Sequence, residues 1–157
     1  MSSEQTEGRK PEFVADYLLY LLAAASDGAS AQFHAEVRKA GLRVPEWRVL
    51  ACLYDRDGSM ITQLARIALV EQSRLTRIIA GMEEKGLVRR QSDPNDGRRV
   101  RIFVTPQGRD ITGLLVPKAR QHEANLLEHL AKEGHENLKP VLTALLNIVE
   151  TEPPRLP

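Results

Sequence analysis

The arrangement of apolar residues between Val44 and Val104 constrains this chain more than any other feature, because its period changes there from that of a helix to that of a strand. Trp47, Leu50, Ala51 and Tyr54 repeat at i, i+3, i+4, i+7, and Pro45 just before them suits the first turn of a helix. Asp57-Gly58 stops that helix. After Ser59-Met60-Ile61, Thr62 is the expected N-cap of a further helix with Leu64, Ala65, Ala68 and Leu69 on one face. Another begins near Gln72-Ser73, buries Leu75, Ile78, Ile79 and Met82, and ends at Lys85-Gly86, a cation in the last turn and glycine just past it. Then Leu87 to Gln91 and Arg99 to Val104 alternate like strands, with Val100, Ile102 and Val104 facing one way and Arg99, Arg101 and Phe103 the other. The turn-forming run from Ser92 to Arg98 joins them, so a hairpin with an exposed tip is expected.

The flanks are helical. Phe13, Tyr17, Leu18, Leu21, Leu22 and Ala25 recur at three- and four-residue spacing within a helix expected over 12–40, loosened near Asp27-Gly28 and ended by Gly41-Leu42. Thr105-Pro106 launches a carboxy-terminal helical region with Leu114, Leu115, Leu126, Leu127 and Leu130, then Leu138, Val141, Leu142, Leu145 and Val149 after Gly134; Pro117 is expected to bend it. The fold class that results is mainly α with a small β-hairpin wing: a winged helix-turn-helix domain plus a helical dimerisation stalk. Its expected division is a disordered start (1–11), an amino-terminal dimerisation segment (12–44), the winged region (45–109), carboxy-terminal dimerisation helices (110–150) and a disordered tail (151–157).

Net charge is nearly zero, with 22 basic and 21 acidic residues, but its distribution is not even. From Thr62 to Arg109 ten Lys/Arg stand against five acids, a block of +5 within a remainder of −4. A basic middle in an acidic frame suits one face that meets a polyanion. On the helix that starts at Gln72, the residues Ser73, Arg74, Thr76 and Arg77 stand opposite the apolar stripe, in the turns where a recognition helix presents short polar groups and guanidinium forks to base edges.

Several classes are disfavoured. There is no HExxH, Walker loop, dinucleotide-type glycine pattern or GxSxG, so no catalytic residue and no cofactor is assigned. The longest apolar stretch, Tyr17 to Ala25, falls short of the roughly 20 residues of a membrane span, and the first ten residues lack the apolar core of a signal peptide. A cytoplasmic protein is expected, in keeping with a single cysteine, Cys52. His129 and Glu133 share metal-ligand spacing, but an ordinary solvated face has it too, and no metal site is assigned.

The chain resembles the MarR family of transcriptional regulators. The resemblance is carried by Val44-Pro45-Glu46-Trp47-Arg48-Val49-Leu50, by Leu64-Ala65, by Gln72-Ser73-Arg74-Leu75-Thr76-Arg77, and by Met82-Glu83-Glu84-Lys85-Gly86-Leu87-Val88-Arg89-Arg90. The wing follows as Asp93-Pro94-Asn95-Asp96-Gly97-Arg98, and Val104-Thr105-Pro106-Gln107-Gly108 closes the pattern. Where the family usually has Asp-Arg-Arg in the wing, Gly97 replaces the middle residue, leaving Asp96-x-Arg98.

The resemblance implies a homodimer with interlocked terminal helices whose two winged domains bind a pseudo-palindrome in double-stranded DNA. The leucine surplus of the terminal helices points the same way, since one small winged core cannot cover it. The DNA-contacting residues expected are Gln72, Ser73, Arg74, Thr76 and Arg77 on the recognition helix, with Arg89, Arg90, Asp96, Arg98, Arg99 and Arg101 around the wing. Asp96 is expected to hold the Arg98 guanidinium for the minor groove, while Arg89, Arg90, Arg99 and Arg101 meet phosphates or neighbouring acids. A ligand-responsive repressor is expected, with Trp47, Arg48, Tyr54 and His34 as candidate neighbours of an aromatic or carboxylate effector. The alternatives are ligand-independent DNA binding, or redox control through Cys52, although in the family's peroxide sensors the reactive cysteine sits in the first helix.

Overall fold

The computed structural model describes residues Phe13–Thr151. The expected disordered start (1–11) and residues 152–157 of the expected disordered tail (151–157) lie outside the described residues, while Thr151, the first residue of that tail, is helical. A short helix α1 (Phe13–Asp16) precedes α2 (Leu18–Lys39), α3 (Val44–Asp55), strand β1 (Ser59–Met60), α4 (Ile61–Ile67), α5 (Gln72–Glu84), β2 (Val88–Asp93), β3 (Asp96–Val104), α6 (Pro106–Lys132) and α7 (Leu138–Thr151). The chain forms two compact units that divide between Thr112 and Gly113.

The first unit holds the helix-turn-helix and the wing. Its core is aliphatic: Leu50 and Leu53 of α3, Leu64 of α4, Leu75, Ile79 and Met82 of α5, and Ile102 of β3 are all fully buried. The three strands are antiparallel in the order β1-β3-β2, so β3 is central. The pairing of Ser59 and Met60 with Ile102 and Arg101 adds a strand to the expected hairpin. Two residues are too short a run to show an alternation, which is why β1 was invisible in the sequence.

Local chemistry explains the helix boundaries. α2 ends with Gly41 at φ 78°, and the amide of Leu42 donates back to the carbonyl of Val37 at 3.2 Å. α5 ends the same way at Gly86 (φ 71°), with Leu87 N donating to Met82 O at 2.9 Å. The Thr105 hydroxyl accepts the Gly108 amide at 3.1 Å and caps α6. Gly108 packs so closely on the carbonyl of Leu87 that a Cβ there would overlap it. Likewise, at Gly58 (φ 75°) a Cβ would come within 2.7 Å of the Phe103 ring.

Four local expectations are corrected. α2 runs unbroken through Asp27-Gly28; the surrounding alanines are the best helix formers and offset a glycine cost of about 1 kcal/mol. The buried stripe of α3 is Glu46, Val49, Leu50 and Leu53, one position round from the Trp47-Leu50-Ala51-Tyr54 face, and Tyr54 is exposed. α4 starts at Ile61 after an extended Met60, so Thr62 is inside the helix and not its cap. Leu69 is 83% exposed and sits at φ 54°, where it ends α4 in a left-handed turn that is usually left to glycine or asparagine. α6 continues as one helix from Pro106 to Lys132 through Pro117.

In the second unit α6 and α7 are joined through a turn at Gly134 (φ 80°), and Lys139 of α7 pairs with Glu123 of α6 at 2.7 Å. Leu142 and Leu145 are half-buried, while Val141, Leu146, Ile148 and Val149 are exposed, and α7 contains no fully buried residue.

Candidate nucleic-acid interface

α5 presents two sharply different faces. Leu75, Ile78, Ile79 and Met82 are buried against the core, and Gln72, Ser73, Arg74, Thr76 and Arg77 are all exposed. Among the described residues neither Arg74 nor Arg77 is held in an ion pair. The helix begins on Glu71, whose carboxylate accepts the amides of Ser73 at 3.0 Å and Arg74 at 3.1 Å, and also the Ser73 hydroxyl. These contacts, the Ser73 hydroxyl first and then the two amides, lower the pKa of Glu71 from 4.5. An N-terminal carboxylate at this point satisfies orphan amides and complements the helix dipole. Sequence inspection missed it because glutamate is a weak N-cap by preference and Ser73 is a better one by type.

The other end of α5 is tied to α3. Glu46 is completely buried, and its carboxylate accepts the Arg43 amide at 2.7 Å, Arg43 Nε at 3.1 Å and Nη2 at 2.9 Å, and Lys85 Nζ at 2.8 Å. Burial alone pushes its pKa up, but the Arg43 amide, the Lys85 ammonium and the Arg43 guanidinium together hold it below the ordinary 4.5. Lys85 is the C-cap of α5, so this carboxylate joins the start of α3 to the end of α5. A lone glutamate beside Pro45 gave no sign of such burial in the sequence.

In the wing, Asp96 Oδ1 accepts the Arg98 amide at 3.1 Å, and Oδ2 pairs with Arg99 Nε at 3.2 Å. The expected hold of Asp96 on the Arg98 guanidinium is therefore corrected: Asp96 fixes the backbone of Arg98 and the side chain of Arg99. In a two-stranded turn, the amide two residues on is nearer to the carboxylate than the outward-pointing guanidinium. Arg90 is paired with Glu83 of α5 at 2.7 Å. Arg89 lies over the Phe103 ring, 4.6 Å from its centroid, and donates to Gln91 at 2.7 Å. Arg101 is bound to Asp93 and to the carbonyl of Gly58.

The candidate effector residues divide. The Phe33 and Trp47 rings meet edge to face across α2 and α3, with centroids 5.3 Å apart. Next to Phe33 in the sequence, His34 has its pKa lowered by burial and then by Arg48 and Arg38, with a smaller opposing effect from Asp27. The structure thus sets Trp47 against Phe33 and Arg48 near His34, whereas Tyr54 lies two turns further along α3 on the surface. Burial and then Asp55 push the Cys52 thiol up, away from the reactive thiolate. His129 Nδ1 lies 2.7 Å from the carbonyl of Asn125, one turn back on its own helix.

Residues 42–100 match the family model described as the MarR family. A crystal structure of a MarR family transcriptional regulator from Silicibacter pomeroyi DSS-3 is 52% identical, superposes with a TM-score of 0.81, and matches 88% of this chain and 98% of that one. The chain belongs to the MarR family of transcriptional regulators. As in that family, it combines a winged helix-turn-helix with DNA-binding character. The HTH-type transcriptional repressor IacR of Pseudomonas putida is 26% identical over 136 residues, 87% of this chain and 81% of its own. The repressor CouR, solved bound to a 23-mer DNA duplex, shares the fold with a TM-score of 0.74 at 23% identity, over 88% of this chain and 98% of its own. No described helix is long and apolar enough to cross a membrane.

Proposed function

We propose that this MarR-family regulator is a homodimeric, ligand-responsive repressor that binds a pseudo-palindromic operator. The observation that carries the reading is the polar face of α5, on which Gln72, Ser73, Arg74, Thr76 and Arg77 are exposed together at the amino-terminal turns. In the complex, α5 enters the major groove and the Arg77 fork reads a base edge. The wing tip lies over the adjacent minor groove, with Arg98 as its inserted cation. Arg89, Arg90 and Arg99 stand along the backbone, where each sets register and not sequence.

Dimerisation is supported by uncovered apolar surface at both ends of the described chain. Phe13 is 74% exposed and Leu18 and Leu19 are 58% exposed, and α2 buries only Phe33 and Val37. A second copy laid on these helices and on α7 removes that surface from water, and a two-fold pair then offers two recognition helices about 34 to 36 Å apart. The stalk segments 12–44 and 110–150 and the reading region 45–109 take these roles in the proposal.

The effector reading is supported by the Phe33–Trp47 ring pair and by the Arg48 cation, whose charge is felt at His34, features that suit an aromatic carboxylate. A ligand that prefers a dimer with the wrong helix spacing weakens DNA binding, and the coupling is reciprocal. The redox alternative through Cys52 is disfavoured by the raised thiol pKa.

The test begins with selection of duplexes from random DNA. A two-fold motif with half-sites one helical turn apart is expected. Aromatic acids are then titrated while Trp47 fluorescence and operator release are followed together. Binding without any two-fold motif refutes the dimeric reading; a full set of aromatic acids that leaves both signals flat refutes the effector reading in favour of ligand-independent binding.

A further inference from the structure

Arg101 stands on the central strand β3, opposite Gln91 of β2 on one side and Met60 of β1 on the other. Its Nε donates to Oδ2 of Asp93 at 2.6 Å, at the far end of β2, and its Nη1 donates to the carbonyl of Gly58 at 3.1 Å, just before β1. One planar guanidinium, carried on the central strand, thus bonds both to the end of β2 and to the residue just before β1. Both anchors are themselves fixed. The Asp93 side chain is only 5% exposed, and its Oδ1 accepts the Asn95 amide at 2.8 Å, which shapes the first half of the wing turn. Gly58 follows Asp57, whose Oδ1 accepts the amides of Gly58 at 3.1 Å and Val104 at 2.9 Å and whose Oδ2 takes Arg109 Nη2 at 2.6 Å.

The place where this contact is made matters. The regular β2–β3 ladder is interrupted between Ser92 and Asp93, so beyond it the turn hangs on one irregular step. Without a further tie the tip, with Arg98 and Arg99, pivots at that step. The Arg101–Asp93 contact lies across it.

We propose that Arg101 is a positioning residue for the wing: it straps the turn at Asp93 to the α3–β1 loop at Gly58 and does not itself bind a phosphate. The proposal rests on the wing being part of the DNA-binding surface. It requires two N–H groups in a rigid fork, so lysine, a single compact charge, cannot replace arginine here.

The two roles open to Arg101 predict opposite signs when its partner is changed. If Arg101 contacted phosphate, Asp93→Asn would remove an acid near DNA and release the guanidinium, and affinity would rise or stay level. A positioning role predicts that Asp93→Asn, Arg101→Met and Arg101→Lys all weaken binding to the selected duplex, each on the order of tenfold, with the double variant Asp93→Asn/Arg101→Met no weaker than the singles. The free protein supplies a readout independent of DNA. Hydrogen exchange at the amides of residues 94–100 is expected to accelerate in each variant while the amides of α5 keep their protection. Tighter or unchanged binding of Asp93→Asn, or wild-type affinity of Arg101→Lys, overturns the proposal, as does unaltered exchange in the turn. If the unaltered protein binds no duplex, the DNA-binding reading of the wing fails, and exchange in the free protein still decides whether Arg101 holds the turn.

Discussion

Replacing Glu46 with glutamine tests whether the helix-turn-helix is held at its base by charge. Four hydrogen bonds converge on that buried carboxylate, three from Arg43 and one from Lys85. Glutamine keeps the shape but offers a single acceptor, and turns an NH2 toward donors. Breaking a buried pair costs about 3 to 5 kcal/mol when the orphaned charge stays buried. Here the charges left behind are Arg43 and Lys85, whose side chains are 64% and 45% exposed and which recover water easily. The expected loss is therefore smaller, about 2 kcal/mol, or roughly a 4 to 8 °C fall in Tm for a chain of this size. Lys85→Met, which leaves Arg43 in place, should cost about 1 kcal/mol, and the double variant less than the two together. The pH dependence has a definite sign. The folded pKa of Glu46 lies below its ordinary 4.5, so its contribution is complete above about pH 5.5 and is lost as pH falls through 4.5 toward the folded value. The gap between wild type and Glu46→Gln should accordingly close in acid. Urea titrations at fixed protein concentration, at neutral pH and in steps down to pH 3.5, measure both effects. Strict additivity of Glu46→Gln and Lys85→Met, or a gap that widens on acidification, refutes the reasoning.

Three further outcomes are expected. Arg77→Ala should relax base preference and cost about 1 to 3 kcal/mol per half-site without lowering Tm, as measured by binding to the selected operator and its single-base variants; uniform weakening on all sequences would mean a phosphate contact instead. Leu146→Asp, at a residue 60% exposed, should shift sedimentation from dimer to monomer while helix content persists, whereas Leu142→Asp, at a half-buried position, should also disturb the α6–α7 unit. Leu69→Gly should be neutral to stabilising by roughly 0.5 kcal/mol, because relief of the left-handed strain slightly exceeds the entropy that glycine adds to the unfolded chain; a clear fall in Tm would contradict the φ of 54° at this position.

The elements most readily legible in the sequence were those whose evidence is local. Periodicity marked α5 and its buried face at Leu75, Ile78, Ile79 and Met82, because an amphipathic helix writes its orientation every three or four residues. Gly41, Gly86 and Thr105-Pro106 marked boundaries for the same reason: a cap is a contact between neighbours in the chain. The wing hairpin was legible from its alternation and its turn residues, and the family motifs overlay both. What tertiary structure alone decided are pairings between distant residues. Glu46 meets Lys85, Asp57 meets Arg109, and Arg101 meets both Asp93 and Gly58, over separations of up to 52 residues. A charged side chain carries no mark of its partner, so the sequence could place Arg89, Arg90, Arg99 and Arg101 only against phosphates or neighbouring acids, without saying which. Folding supplied the partners: Arg90, Arg99 and Arg101 each pair with an acid of the protein itself, Arg90 and Arg99 while staying exposed, whereas Arg74 and Arg77 are exposed on a helix whose other face is buried in the core. The rotation of α3 that buries Glu46 in place of Trp47 was decided likewise, since a carboxylate enters a core only where folding brings two cations to meet it.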